Sequence, residues 1–166
     1  METNELLIDA FTRIKEIVHS VADGLSDEQL AFRPAPDANS IAWLLWHISR
    51  VQDAQIAPVA QQSEVWTDGW YEKFQLPFDE SETGYAQTSE QVGQVRASVA
   101  LLVGYHDAVY ERTVAFLQSA GAKDYGKIVD KNWNPPVTLG VRLVSIISDD
   151  LQHCGQAAYI KGLLPS

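Results

Sequence analysis

Ser145–Gly162, SIISDDLQHCGQAAYIKG, is the stretch on which the reading of this chain turns. Ile146, Ile147, Leu151, Ala157 and Ile160 recur at helical steps and predict a buried helix, yet Asp149, Asp150, Gln152, His153 and Gln156 sit among them. Buried charge is costly unless something pairs with it. Asp149 and His153 are four residues apart, so their side chains stack on one helix face, about 5 to 6 Å apart at Cβ. Gln156 continues that face. A carboxylate and an imidazole so placed chelate one divalent ion from a single helix, leaving a third ligand to come from a facing helix.

Outward from that stretch, Thr138 is placed to cap the helix, which runs from TLGVRLV to GLL and closes the chain. Three more helices precede it. Leu6, Leu7, Ala10, Ile14, Ile17, Val18 and Val21 form one stripe of a first helix stopped at Gly24. Ser26 to Gln29 has the form of a capping box, and Pro34 and Pro36 then force an extended connection. Ser40 caps a second helix, SIAWLLWHISRVQDAQIAPVAQQ, with Ile41, Leu44, Leu45, Ile48 and Val51 as its core stripe. His47 lies in its most apolar segment and is the candidate third ligand.

Residues 62–87 mix Trp, Gly, Pro and acidic residues without a period and predict a long loop with short helical turns, a kind of segment often functional. Thr88 or Ser89 opens a third long helix ended by Gly121, and residues 123–138 are irregular. Strand alternation is not evident. The expectation is an all-α chain, a single domain over 1–166, built as a four-helix bundle with a long connection between helices 2 and 3.

Twelve Lys and Arg against 22 Asp and Glu give a net charge of -10, which repels nucleic acid from most of the surface. Cys154 is the only cysteine, so an intrachain disulfide is excluded. The N-terminus is charged throughout, unlike a secretory signal, and no run approaches the roughly 18 apolar residues of a membrane span. A cytoplasmic protein without a membrane partner is expected.

Each candidate has a plainer alternative. Asp149 and His153 at this spacing also suit a simple ion pair, and His47 a hydrogen-bonded core histidine or a partly exposed one. Asp150 lies about 100° round the helix from Asp149 and is assigned to solvent or a basic partner. His19 and His106 have charged neighbours and are assigned to the solvated surface, and Cys154 to packing. Trp43, Trp46, Trp66, Trp70 and Trp133 are core or loop anchors, with Trp43 and Trp70 as pocket candidates. Gly-rich phosphate loops, a Ser-His-Asp order and zinc-finger spacings do not occur.

Three segments, NSIAWLLWHISRVQDAQI, VWTDGWYEKFQLP and DDLQHCGQAAYIKGLL, together resemble the DinB-like superfamily of damage-inducible and thiol-dependent proteins. The resemblance extends over nearly the whole chain and is most specific in Trp-Leu-Leu-Trp-His and His-Cys-Gly-Gln-Ala. It implies a four-helix bundle, often dimeric, with a divalent metal on His47, Asp149 and His153. The commonest pattern of that family has His where this chain has Asp149. An anionic oxygen there shifts preference toward harder ions than three histidines would choose, among Zn, Ni, Mn and Fe.

The resemblance also implies an activity: a low-molecular-weight thiol such as mycothiol or bacillithiol, activated and transferred to a small electrophilic substrate by an S-transferase or isomerase, with a metal-dependent hydrolase as the nearest variant. The competing class is a non-catalytic, metal-binding or dimerising stress-related bundle. That protein would have a closed site with a fourth protein ligand, whereas three ligands leave a coordination position open for chemistry.

Overall fold

The computed structural model describes residues 2–164; residue 1 and residues 165–166, part of the expected domain, lie outside the described residues. The chain is mostly helical: α1 (Thr3–Ala22), α2 (Asp27–Leu30), α3 (Ile41–Ala60), α4 (Tyr71–Phe74), α5 (Ser89–Gln94), α6 (Val99–Ser119) and α7 (Leu139–Gly162). Local signals set the helix starts. The Ser26, Ser40 and Thr138 hydroxyls accept from the backbone N–H groups of Gln29, Trp43 and Val141 at 3.2, 3.1 and 3.3 Å, satisfying donors that have no partner in the first helical turn.

Two expectations are corrected. The third long helix is broken at residues 95–98, where Val95 turns extended with ψ 103° and buries its side chain to 1% exposure. Ser98 then caps α6 by accepting from Leu101 N–H at 3.3 Å. A strand pair is also present. β1 (Ile128–Asp130) and β2 (Val137–Thr138) form an antiparallel hairpin in the segment read as irregular, each too short to show an alternating pattern.

The long helices pack in four pairs, α3 on α6 and α7, and α1 on α6 and α7. α1 buries Phe11, Ile14, Val18, Val21 and Ala22, while Leu6, placed on the predicted stripe, is 57% exposed. α3 is different: every residue from Ile41 to Arg50 is buried. The connection after α3 accounts for this. Trp66 and Phe78 from that segment pack on Trp46 at ring separations of 6.3 and 5.9 Å, covering the face that α6 and α7 leave open. Buried apolar side chains such as Leu44, Leu45, Trp46 and Ile48 stabilise this packing by about 1.5–3 kcal/mol each.

α3 therefore buries polar groups too, and most of these are tied down, Trp46 Nε1 and Gln52 Oε1 excepted. Ser49 Oγ donates to Leu45 O at 2.8 Å, and Gln52 Nε2 donates to Thr113 Oγ1 at 2.8 Å across the contact with α6. Asp53 accepts from the Val65 and Trp66 backbone N–H groups at 2.9 and 2.8 Å and from Tyr105 OH at 2.8 Å.

Candidate metal centre

Where α3 and α7 pack together, His47 meets Asp149 and His153, which lie one turn apart on α7. Their potential ligand atoms all lie within 4.8 Å of one another. His47 Nε2 is 3.9 Å from Asp149 Oδ2, and His153 Nε2 is 3.6 Å from Asp149 Oδ1. Both distances exceed hydrogen-bond length, so the plainer ion-pair alternative leaves the three groups facing a common space without closing on one another.

The outward bonds of both rings dictate what faces that space. His47 Nδ1 lies 2.6 Å from Thr83 O; a carbonyl only accepts, so Nδ1 carries the proton and Nε2 presents a lone pair. His153 Nδ1 lies 2.9 Å from Gln156 Oε1, an acceptor as well, and its Nε2 is bare by the same logic. Trp43 stacks on His47 at 4.5 Å and meets His153 edge-on at 6.2 Å, holding both ring planes. Burial pushes the His47 pKa below its ordinary value; the Thr83 carbonyl opposes this, His153 adds to it and Asp149 opposes it. A neutral imidazole is the form that ligates. Asp149 Oδ2 is buried without a hydrogen-bond partner. Two imidazole lone pairs and an orphaned carboxylate oxygen form a donor set that fits a divalent cation of the Zn, Ni, Mn or Fe type.

Two further residues complete the site from the connection after α3, and the sequence reading did not single them out. One is Thr83, through its carbonyl. The other is Gly84, at φ +95°, where an added Cβ would lie 2.7 Å from His47 Nδ1 and 3.0 Å from Trp43. Only glycine combines that backbone with so close an approach. The glycine in SETGY was the available signal. Arg50, one turn beyond His47 and fully buried, holds this segment in place by donating from Nε to Glu82 O at 3.0 Å and from Nη2 to Glu80 O at 3.4 Å, while Nη1 donates to Glu64 Oε2 at 2.8 Å. A cavity of about 410 Å³ adjoins His47 and Asp149 along the groove between α3 and α7.

The remaining candidates divide. Asp150 is fully buried and has no hydrogen-bond partner, contrary to its assignment to solvent or a basic partner. It falls in phase with Leu143, Ile146, Cys154 and Ala157, the buried stripe of α7, and burial, reinforced by Asp149, pushes its pKa well above the carboxylate range. His106, assigned to the surface, is also buried. Since Ser49 gives its proton to Leu45 O, His106 Nδ1 donates to Ser49 Oγ at 3.1 Å, and burial lowers its pKa to about 4. His19 remains at the surface, 2.7 Å from Asp107 Oδ1. Cys154 packs in the core, its thiol pushed up to about 12 by burial. Trp43 lies at the site; Trp70 packs against Tyr105 at 5.6 Å, and Trp133 is 67% exposed, outside the core.

A mostly helical protein with a two-histidine, one-carboxylate cluster is the class that this geometry defines. The mycothiol-S-transferase family model matches residues 6–165, and the chain belongs to that DinB-like family. A solved structure, described as a conserved protein from Enterococcus faecalis, is 34% identical and superposes with a TM-score of 0.91 over 98% of this chain and 97% of that one. No curated protein matches the chain significantly. Among the described residues no helix is long and apolar enough to cross a membrane.

Proposed function

We propose that the protein is a divalent-metal-dependent S-transferase. A low-molecular-weight thiol loses its S–H proton and its sulfur bonds to an electrophilic carbon of a small molecule. That carbon's leaving group departs with the bonding pair or, in an addition, the neighbouring atom takes up a proton. The observation that carries this is the convergence of His47 Nε2, His153 Nε2 and the unpartnered Asp149 Oδ2 at the mouth of a cavity. Membership of the mycothiol-S-transferase family supports the thiol as co-substrate. Bound to these three side chains, a divalent ion supplies the positive charge that lowers the pKa of a neighbouring thiol.

The chain's own residues do the rest. Thr83 O and Gln156 Oε1 hold the protons on the Nδ1 atoms, Trp43 shields the rings from water, and the groove between α3 and α7 receives the small molecule. Among the described residues no fourth His, Cys, Asp or Glu joins the cluster, which favours an open catalytic site over a closed structural one. The pairwise packing of α1, α3, α6 and α7 supports a four-helix bundle as a single domain. A cytoplasmic homodimer belongs to the same proposal: exposed Val144, Leu151 and Tyr159 on α7 give it a self-association face, checked by sedimentation.

The test is metal analysis of untagged protein, followed by conjugation assays with mycothiol and bacillithiol before and after chelation. Conjugation should require the metal and disappear in His153→Ala. With metal at about 100 times its Kd the parent should gain about 2.7 kcal/mol of stability that the variant lacks. Equal stabilisation of both proteins, or metal-independent conjugation, overturns the proposal.

A further inference from the structure

The cavity beside the site has two chemically different ends. His47 and Asp149 line one end and Gln55 the other, with Val51 and Ala54 between them on the same face of α3. From His47 to Gln55 is two turns of helix, about 12 Å at about 1.5 Å per residue. The α3 wall is therefore apolar in its middle, facing Ser145 on α7 and Thr83 and Tyr85 from the connection, and the polarity of the far end depends on how the Gln55 amide is turned.

Arg142 settles that orientation. Its Nη1 lies 3.4 Å from Gln55 Oε1, while Nη2 donates to Asp130 Oδ2 at 3.0 Å. A guanidinium only donates, so the atom facing it must be the amide oxygen, leaving the amide NH₂ of a half-buried, cavity-lining residue without a protein partner among the described residues. Ser145, which lines the cavity from α7, already donates to Val141 O at 2.9 Å. The Arg142 cation backs one end, partly offset by Asp130, and the Asp149 carboxylate stands at the other. The potential along the groove thus favours an electronegative group at the Gln55 end.

We propose that the cavity takes an elongated small molecule with an apolar middle and a hydrogen-bond acceptor, a carbonyl or carboxylate, about 12 Å from the group held at His47 and Asp149, with Gln55 Nε2 as the donor that selects it. Gln55 is a specificity residue in this scheme, and Arg142 is a positioning residue acting through it. The assignment of the reacting end rests on the function proposed above.

The probes are ω-mercaptocarboxylic acids of short, medium and long chain, the medium one extending to roughly 12 Å, together with the unsubstituted alkanethiol of medium length. They are titrated into the Co(II)-loaded protein and followed by the cobalt absorption spectrum. The medium acid should bind roughly tenfold more tightly than its alkanethiol, the worth of one hydrogen bond to the ligand, and more tightly than the shorter and longer acids. Gln55→Leu should erase that preference while leaving Co(II) uptake unchanged, and Arg142→Gln should reduce it. Equal binding of the three acids, or a preference that survives Gln55→Leu, overturns the proposal. Failure to take up cobalt instead overturns the metal reading. The same acids are then titrated calorimetrically into metal-free protein, where a preference for the medium acid that depends on Gln55 sustains the present proposal and its absence overturns it.

Discussion

α3 from His47 to Asp53 and α7 from Asp149 to Cys154 both carry polar side chains into the interior, and they treat them in opposite ways. On α3 each one has at least one protein partner, with Gln52 Oε1 the one buried oxygen between His47 and Asp53 left without: His47 on Thr83 O, Ser49 on Leu45 O and His106, Arg50 on the 80–82 backbone and Glu64, Gln52 Nε2 on Thr113, Asp53 on two backbone N–H groups. On α7, Asp149 Oδ2 and both Asp150 oxygens have none. Partnered groups build the scaffold that aims His47. Of the unpartnered ones, Asp150 faces the apolar interior, where burial raises its pKa well above the ordinary value, whereas Asp149 faces two imidazole lone pairs. Neighbouring aspartates thus take different roles because they point about 100° apart on one helix.

The contrast breaks most visibly at Arg50. Arg50→Ala removes the cation 3.8 Å from Asp53, which keeps its three hydrogen bonds, and cuts the ties to Glu64, Glu80 and Glu82; loss of this buried, multiply bonded guanidinium should cost about 3–5 kcal/mol in urea unfolding of the metal-free protein. A loss below about 1 kcal/mol would show that the α3 network is not the scaffold described.

His106 gives the next effect. Its folded pKa is about 4 against an ordinary 6.5, so between those values the unfolded chain binds more protons. The sign follows: the contribution is complete above pH 6.5 and drains away as pH falls toward 4, by about 3 kcal/mol in all. His106→Gln should flatten that part of the stability-against-pH curve, measured by urea titration across the range; an unchanged slope in the variant would remove His106 as its origin.

Gly84→Ala sharpens the link between scaffold and site. With φ at +95° and a methyl carbon 2.7 Å from His47 Nδ1, it should cost about 1–3 kcal/mol in stability and weaken metal binding by about 10–100-fold, read by competition with a chromophoric chelator. Parent-like affinity would mean that the Thr83 carbonyl does not control the His47 ring.

The smallest effect should have the opposite sign. Asp150→Leu replaces an unsatisfied buried carboxyl with an apolar side chain of similar size, so the metal-free protein should gain about 1 kcal/mol while α3 substitutions lose stability. Destabilisation on that substitution would point to an interior partner for Asp150.

Much of this was legible in one dimension. The caps at Ser26, Ser40 and Thr138 act within three residues, so local sequence specifies them, and helical spacing alone stacks Asp149 under His153. The apolar run around His47 foretold a buried imidazole. The apolar setting of His47 made it the candidate partner of the α7 pair, and the resemblance implied the same three residues, since nothing local on either helix fixes which faces meet. The break before α6 was missed because the burial of Val95 is decided by distant neighbours, and the 128–138 hairpin because its strands are too short to carry a period.

What tertiary structure decided was the surroundings of each chemically able group. The 100° offset from Asp149 suggests solvent or a basic partner for Asp150, and charged neighbours in sequence suggest solvent for His106, yet the phase of α7 turns Asp150 onto the buried stripe, and α6 turns His106 toward Ser49 on α3. Thr83 and Gly84 reach His47 from more than 30 residues away, held there by the buried Arg50. Residue type and spacing are properties of the chain and survive unfolding. Desolvation, tautomer and ligand convergence depend on which surfaces are pressed together, and those exist only when the helices and the connection over α3 have packed.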